Sequence, residues 1–133
     1  MNEIAIIKPK LPATAKFYEF GQNNTGGPFD VDDQVCHFVI IEALSANDAN
    51  RRAEDIGIYF DGCDDGRDCV CCGDRWSRAW SNDGDDEPKI YGKPPEQYND
   101  MWCAEGEVYC RVYYMDGMIK EYRKGTNILS ITG

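Results

Sequence analysis

The chain has 133 residues, 42% of them hydrophobic, with 24 Asp and Glu against 14 Lys and Arg for a net charge of −10. That length suits one hydrophobic core rather than two domains, and that hydrophobic content argues against wholesale disorder. The charge speaks against duplex nucleic acid and anionic membranes as partners, because both are repelled over most of the surface, and admits a basic protein surface.

Residues 1–14 read as an N-terminal arm, with Pro9 and Pro12 excluding a helix, ahead of a single α+β domain over 15–133. Lys16 to Gln22 has strand alternation that sets Phe17 opposite Tyr18 and Phe20. Asn23 to Pro28 is a loop by composition. Gln34 to Ala43 is the clearest strand: Val35, His37, Val39 and Ile41 share one face, while Cys36, Phe38 and Ile40 share the other. Apolar residues on both faces predict a central strand covered on both sides.

Ser45 is a suitable N-cap with Asp48 at the third position, and Ala46, Ala49, Ala53 and Ile56 make the apolar stripe of a helix over about 45–56 that Gly57 stops. Ile58-Tyr59-Phe60 reads as a short strand, and so does Lys89 to Tyr91 before Lys93-Pro94-Pro95 breaks it. Between them, Asp61 to Glu87 is a long Cys/Asp-rich loop whose nine acids and three arginines leave it at −6. Glu107 to Met115 and Met118 to Lys124 form a C-terminal β-hairpin around Asp116-Gly117, the pair favoured in type I′ turns. That turn pairs Met115 with Met118, Tyr113 with Lys120 and Arg111 with Tyr122. The fold class is therefore α+β, a mainly antiparallel sheet with one main helix.

Seven cysteines, an odd number, and no charged-then-apolar leader ahead of them predict a reducing cytoplasm, where clustered thiols are metal ligands or core residues more often than disulfides. No stretch approaches the ~18 apolar residues of a membrane span. Cys69 and Cys72 followed by Gly73 have the C-x-x-C-G spacing of a zinc knuckle, in which two thiolates converge on one ion. A structural zinc needs two further ligands, with Cys63 and Cys71 the nearest in sequence and Cys36, His37, Cys103 and Cys110 also available. The competing reading is that these thiols pack a tight loop, with no cofactor required. Asp61 to Cys72 fails as an EF-hand, having Cys where the bidentate Glu is needed.

His37, the single histidine, lies in an apolar strand and has no nucleophile pattern beside it, so no enzyme is expected. Arg75-Trp76-Ser77-Arg78-Ala79-Trp80 is a basic, aromatic run inside the acidic window. Guanidinium groups fork onto phosphates and indoles stack on bases, which suits one small nucleotide, with Arg111, Tyr113, Tyr122 and Arg123 of the hairpin as a second wall. The plainer reading makes the arginines partners of neighbouring acids and the tryptophans core.

Lys16-Phe17-Tyr18-Glu19-Phe20 with Gln22 to Gly27, followed by Asp68-Cys69 through Trp76, resembles a group of small uncharacterised proteins of tailed bacteriophages. The resemblance implies a phage accessory protein working in the host cytoplasm. Proteins of that kind counter host defence, and the expected function is a non-enzymatic sponge for a small cyclic nucleotide signal, built as a homo-oligomer with sites between subunits. The alternatives are an acidic inhibitor that docks on a host defence protein, as a nucleic-acid mimic could, and a zinc-stabilised regulatory module.

Overall fold

A computed structural model describes residues 14–23, 25, 29–98, 104–125 and 129–132. The N-terminal arm expected over 1–14 lies, but for Thr14, outside the described residues, as does Cys103. Five strands form one sheet in sequence order: β1 (Lys16–Gly21), β2 (Phe38–Ala43), β3 (Val108–Tyr113), β4 (Ile119–Arg123) and β5 (Leu129–Thr132). Neighbours are antiparallel except β2 and β3, which run parallel with Phe38 beside Cys110 and Ile41 beside Tyr113. A parallel pair needs a long crossover, and here it carries the helix α1 (Ala46–Asp55), the cysteine loop and a 3-10 turn at Pro95–Gln97. The fold is α+β, and no helix among the described residues is long and apolar enough to cross a membrane.

Alternation along β2 places its residues in two cores. Val39, Ile41 and Ala43 join Tyr18 and Phe20 of β1 under Ala46, Ala49 and Ala53 of α1, together with Ile58, Phe60 and Trp76. Phe38 and Ile40 join Cys110, Val112 and Tyr122 on the opposite face, closed by Ile90 with Tyr98 packed against it. Both faces of β2 are thus covered, as its sequence predicts. Ser45 Oγ accepts the Asp48 N–H at 3.1 Å, capping α1, and Gly57 turns away at φ +105°.

Four expectations need correction. The segment 34–37 lies outside β2; side chains reach the carbonyls of Val35 and Cys36, from Arg111 Nη1 and Gln22 Nε2 at 3.2 and 2.8 Å, while the His37 carbonyl accepts the Gln22 backbone N–H at 3.1 Å. Ile58 and Phe60 are buried with Tyr59 half-buried between them, but no strand among the described residues pairs with them. Lys89 to Tyr91 is a tight turn, in which Ile90 and Lys93 exchange backbone hydrogen bonds around Tyr91 and Gly92 at φ +51° and +80°. Positive φ at both central residues is the type I′ geometry. The C-terminal hairpin exists, but its register is one residue from the expected one: Tyr113 pairs with Ile119 and Arg111 with Glu121. Its loop is Met115-Asp116-Gly117, with only Gly117 at positive φ and Tyr114 N–H donating to the Met118 carbonyl at 2.9 Å. A bulge between Val108 and Cys110 sends Tyr109 and Cys110 into the same core. Strand β5 has no counterpart among the sequence expectations.

Candidate functional site

The cysteine loop is closed by carboxylates and amides, not by sulfur. Asp68 accepts the Tyr59 hydroxyl and the Arg75 N–H, both at 2.9 Å. Asp74 accepts the Cys63 N–H at 2.9 Å, and the Arg67 guanidinium lies 3.9 Å from the centre of the Tyr59 ring. Asn23, just beyond β1, donates its side-chain amide to the carbonyls of Cys72 and Asp74 at 2.9 and 3.2 Å and its backbone N–H to that of Arg75 at 2.8 Å. Two segments distant in sequence, 16–23 and 68–76, are thereby joined. Gly62 is required here, because a Cβ would lie 1.9 Å from Asp68 Oδ2.

Within this frame Cys69 to Gly73 makes a tight turn, with the N–H groups of Cys72 and Gly73 on the Cys69 carbonyl at 3.0 and 3.1 Å and Gly73 at φ +89°. The turn gathers three sulfurs. Cys69 Sγ is 2.8 Å from Cys71 Sγ, Cys71 Sγ is 3.9 Å from Cys72 Sγ, and all three lie within 4.8 Å of one another. Cys69 and Cys71 are exposed and Cys72 half-buried. The Cys71 thiol, then the Cys71 backbone N–H and the Cys72 thiol, hold the Cys69 thiol below its ordinary range. Cys71 is pushed up to about 11 by the thiols on either side of it, and Cys63 to about 11, chiefly by Asp74. Cys63 Sγ faces the Cys69 carbonyl at 3.4 Å and stands outside the three-sulfur group. Cys36 and Cys110, by contrast, are core thiols.

The loop leads into the ridge Arg75–Trp80, whose four expected ligand residues divide into two that anchor and two that face outward. The Arg75 guanidinium is turned inward, with Nη1 on Gln22 Oε1 at 3.0 Å and Nε 3.4 Å from Asp30. Trp76 is 1% exposed and packs in the core beneath α1, so its indole cannot stack on a base. Ala79 exchanges hydrogen bonds with the Asn50 side chain, at 2.8 and 3.1 Å, which fastens the ridge to α1. Beyond that fastening Trp80 is 68% exposed. Arg78 is half-exposed, forks onto Asp61 at 2.7 and 3.0 Å, and lies 5.1 Å from the Phe60 ring centre. Two open grooves flank Trp80. One, of about 270 Å³, runs to Ser45, Asn47 and Asn50 at the start of α1; the other, of about 220 Å³, is floored by Phe60 and Trp76.

The hairpin residues do not form a second wall. Arg111 is buried, bonded to Glu121 at 2.9 Å and to the Asp32 carbonyl at 2.8 Å. The Tyr113 hydroxyl donates to the Gln34 carbonyl, and Arg123 bonds Glu121 and the Gly106 carbonyl at 3.1 Å each. Tyr122 is buried in the core on the other face of the sheet from Trp76. His37 is buried with its ring stacked on Phe29 at 3.8 Å.

Residues 15–131 match the model of a family described as a domain of unknown function, DUF7296. The chain belongs to that family. No curated protein and no solved structure matches it. The family match runs from the residue before β1 through most of β5, so the cysteine loop and the ridge lie inside the shared domain. Sequence spacing finds Cys69, Cys72, Arg78 and Trp80, but not Ser45, Asn47 and Asn50, whose role in the groove depends on where α1 packs.

Proposed function

We propose that this family member is a non-enzymatic phage counter-defence protein that binds and sequesters a small, cyclic nucleotide signal of its host. The observation that carries the reading is Trp80: an indole 68% exposed, beside Arg78, between two grooves. An exposed indole offers a flat face, and a nucleobase stacked on it gains about 1–3 kcal/mol. A phosphate in the groove beside Ser45 and Asn47 would meet the first N–H groups of α1 and the guanidinium of Arg78, both suited to an anion. Arg75 and Trp76 then position the ridge without touching the ligand, and Arg111, Tyr113, Tyr122 and Arg123 take no part.

Each groove is smaller than the roughly 300–1,000 Å³ of an ordinary ligand pocket, so one subunit covers a base and a phosphate rather than a whole dinucleotide. A symmetric oligomer that brings two ridges together supplies the remainder. Calorimetry with cyclic dinucleotides, cyclic trinucleotides and cyclic ADP-ribose isomers tests the reading. Binding that Trp80→Ala weakens at least tenfold, with the ligand recovered unchanged on denaturation, is the expected result. Absence of heat with every ligand at about 100 μM protein overturns it, because affinity weaker than about −5.5 kcal/mol cannot sequester a trace signal.

A further inference from the structure

The geometry points to a second site: Cys69, Cys71 and Cys72 form a three-thiolate centre for a zinc-class cation, its fourth position open to solvent. The inference is independent of the nucleotide reading, since none of the three thiols lines the grooves at Trp80.

Three observations carry it. The first is convergence: three sulfurs lie within 4.8 Å of one another on one turn. Zinc–sulfur bonds of about 2.3 Å place tetrahedral sulfurs ~3.8 Å apart. The Cys71–Cys72 separation of 3.9 Å already has that value, and the Cys69–Cys71 separation of 2.8 Å must open by roughly 1 Å, which one side-chain torsion supplies. The second is that the sulfurs are not needed by the loop. Asp68, Asp74 and Asn23 close it, so the turn is built before a metal arrives, and the exposed thiols of Cys69 and Cys71 are not packing a core. The third is the charge around them. The cavity beside Cys69 and Cys72 is lined by Asp68 together with Arg67 and Arg75, so the charge that draws a cation is that of the acidic loop as a whole, nine acids against three arginines.

Soft sulfur ligands select zinc-class ions over magnesium or calcium, which take oxygen. Cys69 and Cys71 are exposed, so water has access to the fourth corner, the coordination of an open site rather than a closed structural one. On binding, the metal takes three thiolate sulfurs and the thiol protons pass to buffer.

The test is titration of the reduced full-length chain with Zn²⁺ alone, bound metal being measured by elemental analysis after desalting, with Co²⁺ as a spectroscopic substitute. One equivalent per chain is expected, with a Co²⁺ spectrum showing thiolate charge transfer and a thermal midpoint that rises with added Zn²⁺. Cys69→Ser, Cys71→Ser and Cys72→Ser should each lower retained zinc below about half an equivalent. Without metal, the urea midpoints of Cys69→Ser and Cys71→Ser should match the parent's, because those two thiols are exposed. Cys63→Ser and Cys103→Ser should retain zinc. Less than about half an equivalent on the parent chain, or full retention by all three serine variants, overturns the site. Loss of zinc in Cys63→Ser or Cys103→Ser overturns the open fourth position.

Discussion

Trp76 and Trp80 stand four residues apart and have opposite fates. Trp76 is 1% exposed and Trp80 68% exposed. Trp76→Ala should destabilise the fold by about 3–5 kcal/mol, the usual cost of removing a large core aromatic, read as a lower urea midpoint with unchanged slope. Trp80→Ala should leave that midpoint within about 0.5 kcal/mol of the parent and act on ligand binding alone. Sequence spacing could not separate the two, because the ridge follows no helical or strand period; the Asn50 clamp on Ala79 decides which indole turns in. The thiols divide in the same way. Cys36 and Cys110 sit in apolar stretches and are legible as core, whereas the meeting of Cys71 with Cys69 and Cys72 depends on a turn that C-x-x-C spacing only half specifies.

At the scale of elements, α1, β1 and β2 were readable because their periodicity and caps agree. The C-terminal hairpin was readable as a hairpin and misread in register. Asp-Gly serves both a two-residue type I′ loop and the end of a three-residue loop with glycine in the left-handed region, and only the latter occurs. One residue of slip exchanges partners, which is why Arg111 meets Glu121 rather than Tyr122. Gly117→Ala should cost about 1–2 kcal/mol through its φ of +95° alone, since a Cβ there meets nothing within 4 Å, and Gly117→Asn should recover part of the loss in the same urea titration. The type I′ turn at Tyr91-Gly92 went unread because tyrosine is a poor signal for positive φ.

For the whole molecule, burial raises several acids of the core together. The Cys36 thiol is pushed up to about 12 from an ordinary 9.0 and the Tyr113 phenol to about 12 from 10.0, both chiefly by burial, and burial raises Cys110 and Tyr122 as well. The folded chain therefore keeps protons that the unfolded chain releases. Stability from these groups is fully present below about pH 9 and falls as pH rises toward 12. Urea unfolding at pH 7.5, 9 and 10.5 should give a small drop in midpoint from the first to the second, where the unfolded cysteines are half ionised, and a larger drop at the third. The α+β class and the two-sided burial of β2 were legible in composition and alternation. The order of the sheet was not, since no local pattern states that β2 and β3 run parallel.

That parallel pair has a consequence for how the chain comes to be folded. The roughly 64 residues between Ala43 and Val108 must be closed into a loop before the two strands gain anything from pairing, at an entropic cost of about 3.7 kcal/mol plus a constant. Non-local pairing of this kind places folding in the slow millisecond-to-second range. On a ribosome, β2 is finished long before β3 exists, and Val39-Ile40-Ile41 then offers an unpaired, β-prone edge to any neighbouring nascent chain. Synthesis halted before residue 108 therefore yields a chain prone to aggregate, and about the last fifth of the sequence, by covering that edge, acts as the guard of the first half.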